Sequence, residues 1–359
     1  MALFDKKDVN TGRQIEADIA KAICIVGMIL IHSNEVVNGF AAPAGAYQFV
    51  MIKVLNCIFG AGTFMFCMGM GIAYSHRSTP EYLMMRGLRI FVLGYLLNIV
   101  RSALFFLIFD LRSILGCIFA LDVLQFAGLA LFLFGLLKKI KVNDVLLTVI
   151  AVLMNIAGSL IGTIDFESDA ADLGLGLFIN TLDLETLNAG VFPLLNWFLF
   201  VVAGYLFGKL LRHVADKKKF YLIFSGISGA VVAAYMLVAI PRRLGMMGSL
   251  ISYYCIRLYD VAVCVCAAVF VLGVYHFLSI ILPVKFKNAI TEVSRNVNII
   301  YCLQWVLITW SWFIIAAATS LESLSDSMSA VLGLCVTVIS ILLAKLIRRG
   351  IEKKKAKTK

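Results

Sequence analysis

Residues 18–32 read Asp18-Ile-Ala-Lys21-Ala-Ile-Cys24-Ile-Val-Gly-Met-Ile-Leu-Ile-His32, an apolar run with a cation near its start and an imidazole at its end. Lys21 and His32 are eleven residues apart. At 100° per residue that is about 1100°, roughly 20° past three full turns, so a helix points both side chains off one face. The rise of 1.5 Å per residue sets them about 16 Å apart along the axis. The run is long enough to cross a bilayer, which puts Lys21 near a membrane surface and His32 well inside. An ionisable side chain at that depth is expensive and reads as functional; the bland alternative is a neutral histidine hydrogen-bonded between helices.

Similar runs recur along the whole chain. The 359 residues are 62% hydrophobic, with a mean hydropathy of +0.96, well beyond a soluble domain. Runs of about 20 apolar residues predict an all-α polytopic membrane protein of about ten transmembrane helices, near 19–40, 48–75, 87–108, 113–137, 143–163, 190–211, 220–240, 250–281, 296–319 and 327–347. The second and eighth are long enough to tilt or break. The first is too long for a cleaved signal peptide and reads as a permanent helix.

The net charge of +11 suggests nucleic acid only until the charges are placed on this map. Lys6, Lys7 and Arg13 precede the first helix, Arg77 and Arg86 fall in the second connection, and Lys138, Lys139 and Lys141 in the fourth. Arg212 and Lys217 to Lys219 fall in the sixth, Lys285, Lys287 and Arg295 in the eighth, and Arg348, Arg349 and Lys353 to Lys359 in the tail. All lie on one side of an even-numbered topology, so the positive-inside rule makes both termini cytoplasmic. The longest loop on the other side, about 163–189, carries Asp165, Glu167, Asp169, Asp172, Asp183 and Glu185. These carboxylates lack the spacing of a calcium loop and read as solvated. The basic balance is an orientation signal, and nucleic-acid binding is not expected. All nine cysteines fall in predicted helices, which indicates neither a disulfide framework nor a metal site. Residues 1–347 read as one membrane domain and 348–359 as a basic, disordered tail.

Few polar residues interrupt the spans. They are His32 and Glu35 on the first helix, Lys53 and Asn56 on the second, Asp122 and Gln125 on the fourth, Asn196 on the sixth, Arg257 and Asp260 on the eighth, and Gln304 on the ninth. Arg257 and Asp260, three apart, suit a structural salt bridge. Asp122 and Gln125 share a face as well, and Asp122 is expected to be protonated or to face a cation from a neighbouring helix. By depth and type only His32 suits a general base. Arg86-Gly-Leu-Arg89 opens the third helix with two arginines on one face near the surface that holds Lys21. Three such cations suit a polyphosphate, or else ordinary positive-inside anchoring.

The segment from Arg13 through Asp18 and Lys21 to His32 resembles the opening signature of bacterial membrane proteins related to heparan-α-glucosaminide N-acetyltransferase, in the transmembrane acyltransferase superfamily with the acyltransferase-3 group. The resemblance continues in order through Phe64–Gly69, Arg86–Phe91, Leu121–Gly128, Phe192–Phe198, Gly204–Lys209 and Ser294–Tyr301. It implies a cell-membrane enzyme, an acyl-CoA-dependent O- or N-acyltransferase. Acetyl-CoA would bind from the cytoplasmic side as the donor, and a carbohydrate hydroxyl or amine on the far side would receive the acetyl group. By position, His32 would be the catalytic base or transient acetyl carrier, and Lys21, Arg86 and Arg89 would face the CoA phosphates. Asp18, Asn56, Asp122, Gln125 and Gln304 stand as supporting residues, with Lys53, Asn56 or Gln304 as candidates for the oxyanion. Relatives usually carry Arg-Gly at Lys21-Ala22, His at Gln125 and at Gln304, and Pro at Asn196. Besides the lipid bilayer and the two substrates, the reading leaves room for a homo-oligomer. Its rivals are a proton-coupled transporter or flippase relaying protons through His32 and Asp122, and a non-catalytic membrane partner.

Overall fold

The computed structural model describes residues 3–38, 59–107, 111–166, 168–181, 191–321 and 323–357. The regular structure among them is helical apart from two isolated bridges, Phe4 with Val214 and Thr163 with Asn180. In chain order the helices are α1 (Ile15–Asn38), α2 (Ala61–Tyr74), α3 (Pro80–Arg101), α4 (Leu111–Phe119), α5 (Val123–Lys139), α6 (Asp144–Ile161) and α7 (Asp169–Leu175). They continue with α8 (Leu194–Arg212), α9 (Lys217–Arg242), α10 (Leu250–Tyr254), α11 (Leu258–Ile281), α12 (Val284–Arg295), α13 (Val297–Thr319) and α14 (Asp326–Lys357).

Seven described helices are long and apolar enough to cross a membrane: α3, α6, α8, α9, α11, α13 and the Asp326–Lys354 stretch of α14. The difference from the ten expected has three sources. The run read as the first span is helical in α1, Ile15–Asn38, but is not among the seven. Of the second span, residues 59–75 are described, and their helix α2, Ala61–Tyr74, is 14 residues long and shorter than the seven. The fourth, read as one helix, is broken at Asp122 into α4 and the 17-residue α5. The eighth breaks as its length allowed, with Cys255 to Arg257 separating α10 from α11. The tail read as disordered instead continues α14 as helix through Lys357.

The chain divides into two compact units, Met1–Arg13 with Ala61–Gly273, and Gln14–Gly60 with Val274–Lys359. In the larger unit two helix pairs meet through glycines. A Cβ on Gly87 of α3 would come within 2.5 Å of the Gly128 carbonyl oxygen of α5, so backbones touch there as in small-residue membrane packing. Gly69 of α2 and Gly204 of α8 leave equally little room against each other's helices. The connections at one end of this unit are tied together. Lys138 Nζ donates to the Ser78 carbonyl at 2.6 Å, Arg212 Nη1 to the Ala73 carbonyl at 3.1 Å, and Lys209 pairs with Asp144. The N-terminal segment joins the same end, where Asp5 N–H donates to the His213 carbonyl at 2.8 Å and Asp8 pairs with Arg212. The basic connections of the larger unit therefore gather at one end. The opposite end holds the 163–181 segment, with Trp197 Nε1 donating to the Tyr254 carbonyl at 3.0 Å. Arg242 and Arg243 close α9 at this opposite end, two cations that the charge map left out.

In the smaller unit α1 packs against α12, α13 and α14. Ser294 Oγ of α12 donates to Asp18 Oδ1 at 2.6 Å, Asn34 Nδ2 of α1 donates to Ser329 Oγ of α14 at 3.1 Å, and Lys345 pairs with Glu292 at 2.9 Å. These polar ties lie along and beside α1, the helix that carries the histidine.

Candidate functional site

The site grows from the unbroken helix α1. Because Ile15–Asn38 is one helix, the spacing read from the sequence stands: Lys21 and His32 share a face, about 16 Å apart along the axis. Both side chains are half-buried. What the spacing left open is what His32 meets. Gln304 of α13 brings its Nε2 to 3.1 Å from His32 Nδ1, and the neighbouring Trp305 stacks on the imidazole at 4.2 Å between ring centroids and 22° between planes. Gln304 is fully buried. Its Oε1 has no hydrogen-bond partner in this arrangement, so part of a buried polar group is unsatisfied beside the ring.

A carboxamide offers a donor on one side and an acceptor on the other. With nitrogen toward the ring, Nδ1 accepts and the ring proton sits on Nε2. Turned about, the oxygen takes a proton on Nδ1, and Nε2 keeps its lone pair. The second arrangement also gives the buried Gln304 Oε1 a partner. Trp305 stacks on one face of the ring in either case. The site is therefore a histidine whose tautomer is set by a second residue, as in the orienting partners of catalytic and metal-bound histidines.

The other residues singled out in the sequence have different surroundings. Asp18 is buried and holds Ser294, a tie between α1 and α12. Arg86 and Arg89 lie in the larger unit, exposed on the side of α3 away from Gly87. Asp122 is an N-cap, not a residue within a helix: its Oδ1 accepts from Val123 N–H at 2.7 Å, and Gln125 Oε1 accepts from Asp122 N–H at 3.2 Å to complete a capping box. Asp122 also faces Arg101 of α3 at 3.6 Å, the neighbouring cation that its depth called for. Gln125 Nε2 further donates to the Ala120 carbonyl at 3.4 Å, and Gly94 makes room for the carboxamide. This pair is engaged in shaping the break before α5, which leaves Asp122 ill suited to a proton relay with His32.

Asn196 is buried at the start of α8, where its carbonyl accepts from Asn155 Nδ2 at 2.8 Å. Asp260 accepts from the Tyr235 hydroxyl of α9 at 2.5 Å, and Arg257, the partner that the spacing suggested, acts on the same carboxylate through its charge and its backbone N–H. Asn56 and Lys53 lie outside the described residues.

The sequence reading singled out His32 and Gln304 separately; the structure brings the two together and adds Trp305, which that reading did not name. Gln304 marks a polar point on α13, but it and Trp305 are about 270 residues from His32 in the chain, and nothing local says which helix that face meets.

The fold and this site define a multi-pass membrane protein with a half-buried histidine held by a carboxamide and an indole. Residues 13–235 match the family model for heparan-alpha-glucosaminide N-acetyltransferase, catalytic, and the chain belongs to that family. This makes it a member of a membrane acetyltransferase family. No curated protein matches the chain. The matched segment contains Lys21, His32, Arg86, Arg89, Asp122 and Gln125, while Gln304 and Trp305 lie beyond its end.

Proposed function

We propose that this protein moves an acetyl or other small acyl group from cytoplasmic acyl-CoA to a hydroxyl or amine of an extracytoplasmic carbohydrate, with His32 as the general base. The observation that carries the reading is the clamped His32 on α1, inside the segment matched by the acetyltransferase family. In the proposed step His32 Nε2 takes the proton from the acceptor oxygen or nitrogen as that atom attacks the thioester carbonyl. The new C–O or C–N bond forms, the C–S bond breaks, and the imidazolium returns the proton to the leaving thiolate to give free CoA. A variant through an acetyl-His32 intermediate divides the same transfer into two steps. Gln304 acts as a positioning residue that holds the proton on Nδ1.

For the donor, we propose Lys21, Arg86 and Arg89 as phosphate contacts, each judged singly because the resemblance rather than a shared pocket selects them. The gathering of basic connections at one end of the larger unit supports a cytoplasmic face for that end and an external one for the 163–189 loop. A cell membrane, probed in the topology experiment below, is the proposed location.

The deciding experiment replaces His32 with Ala in the full chain and measures radiolabelled acetyl transfer and CoA affinity on the same monodisperse preparation. Loss of a general base lowers the rate about 10²–10⁴-fold, while donor affinity stays near the parent's because His32 is about 16 Å deeper than Lys21. Unchanged transfer would remove His32 from the chemistry.

A further inference from the structure

Helix α12 wears its polar and apolar sides the wrong way round for a helix packed in a protein core. Its one buried residue is Ser294, which donates to the buried Asp18 of α1 at 2.6 Å. Glu292 on the same helix pairs with Lys345 of α14 at 2.9 Å. The helix is thus fastened to its own unit by polar contacts. Apart from Val284 at its first position, its apolar residues form a separate stripe: taking Phe286 as the origin, Ala289, Ile290 and Val293 fall within an arc of about 100°. The protein covers this arc only in part. Phe286 is 61% exposed, Ala289 is exposed, and Ile290 and Val293 are half-buried. Asn288 and Arg295, both exposed, lie about 160–180° from Phe286 on the same wheel.

The position of α12 in the chain says what covers the arc. Only Leu282 and Pro283 separate it from α11, and only Asn296 separates it from α13, both of membrane-spanning length and hydropathy. A twelve-residue helix tethered this closely between two spans stays at the level where those spans leave the bilayer. There an amphipathic helix lays its apolar face into the boundary between headgroups and acyl chains, with its cations among the phosphates. Lys285 and Lys287 flank the apolar arc at about 100° on either side, the placement from which long cationic side chains reach upward to headgroups.

We infer that α12 is an interfacial anchor whose Phe286–Val293 face is seated in the lipid of the membrane surface. Through Ser294 and Asp18 the same helix fixes the start of α1. This inference does not rest on the proposed chemistry.

The test uses the full-length protein in nanodiscs of phosphatidylcholine brominated at shallow acyl positions, with single variants Phe286→Trp and Asn288→Trp, each compared with the parent. The expected result is blue-shifted emission at position 286, quenched by the brominated lipid and protected from aqueous iodide, with the reverse at position 288. Ala289→Trp, on the same arc, repeats the measurement should Phe286→Trp not fold. Iodide quenching at 286 equal to that at 288 would overturn the inference. Protection from both quenchers, together with cross-linking between copies at this face, would overturn it in favour of a second chain as the occupant.

Discussion

His32 Nδ1 and Gln304 Nε2 stand 3.1 Å apart, joined across 272 residues of chain. The contact ties the chemistry of one helix to the side-chain choice of another. A neutral imidazole has one nitrogen that donates and one that accepts, and its neighbour decides which is which. A glutamine does this without titrating, so it sets the tautomer while adding no charge of its own beside the ring.

Replacing Gln304 with Met keeps the volume and removes the hydrogen bond. Transfer is expected to fall about 10–100-fold, the cost commonly seen when an orienting partner of a functional histidine is lost. Nitrogen NMR of labelled His32 gives a readout that packing alone would not move. The parent should carry its proton on Nδ1, and the variant should drift toward Nε2. A parent ring already protonated on Nε2, and unchanged in the variant, would cancel the positioning role while leaving the acyltransferase reading to the His32→Ala result.

Donor binding is tested at three cations. Lys21→Ala, Arg86→Ala and Arg89→Ala should each weaken CoA binding measured by calorimetry, by about 1–3 kcal/mol where the contact to phosphate is partly desolvated. The exposure of Arg86 and Arg89 on α3 favours the lower end, since water and salt screen such contacts. Parent-like affinity in all three variants would reduce these residues to orientation anchors.

Asp122 separates the enzyme from the proton relay. Asp122→Ala removes the cap of α5, and a lost cap costs about 0.5–2 kcal/mol of stability. Asn is also a good cap, so Asp122→Asn should restore most of that stability and retain acetyl transfer, although it cannot carry a proton. Thermal unfolding and transfer assays on the two variants give the comparison. Full loss of function in a stable Asp122→Asn protein would return the transporter reading to first place.

Topology is the remaining prediction. Both termini should face the cytoplasm and the 163–189 loop the outside. In a background without native cysteines, Lys353→Cys should label only after the membrane is permeabilised, and Ser168→Cys should label in intact cells. Labelling of Lys353→Cys from outside would reverse the orientation and place the donor on the wrong side.

Composition and periodicity determined a great deal by themselves. Apolar runs longer than a soluble helix needs can be satisfied only as helices in lipid, where every backbone group must bond within its own segment. The all-α architecture therefore follows from local sequence. So does the shared face of Lys21 and His32, because an unbroken α-helix fixes the direction of both by residue count alone. The clustering of basic connections at one end of the larger unit was likewise written in the order of spans and charges. Tertiary structure alone decided the rest. The apolar run through residues 113–137 does not announce a break. It breaks at Asp122 because the carboxylate caps the following helix and finds Arg101 on another. Residues 348–357, polar enough to read as disordered, continue as helix because α14 carries on unbroken from an apolar stretch already packed against α1. The partners of His32 are the clearest case. Gln304 stands out as a polar residue in an apolar helix, but only the packing of α13 against α1 brings it and Trp305 to the ring.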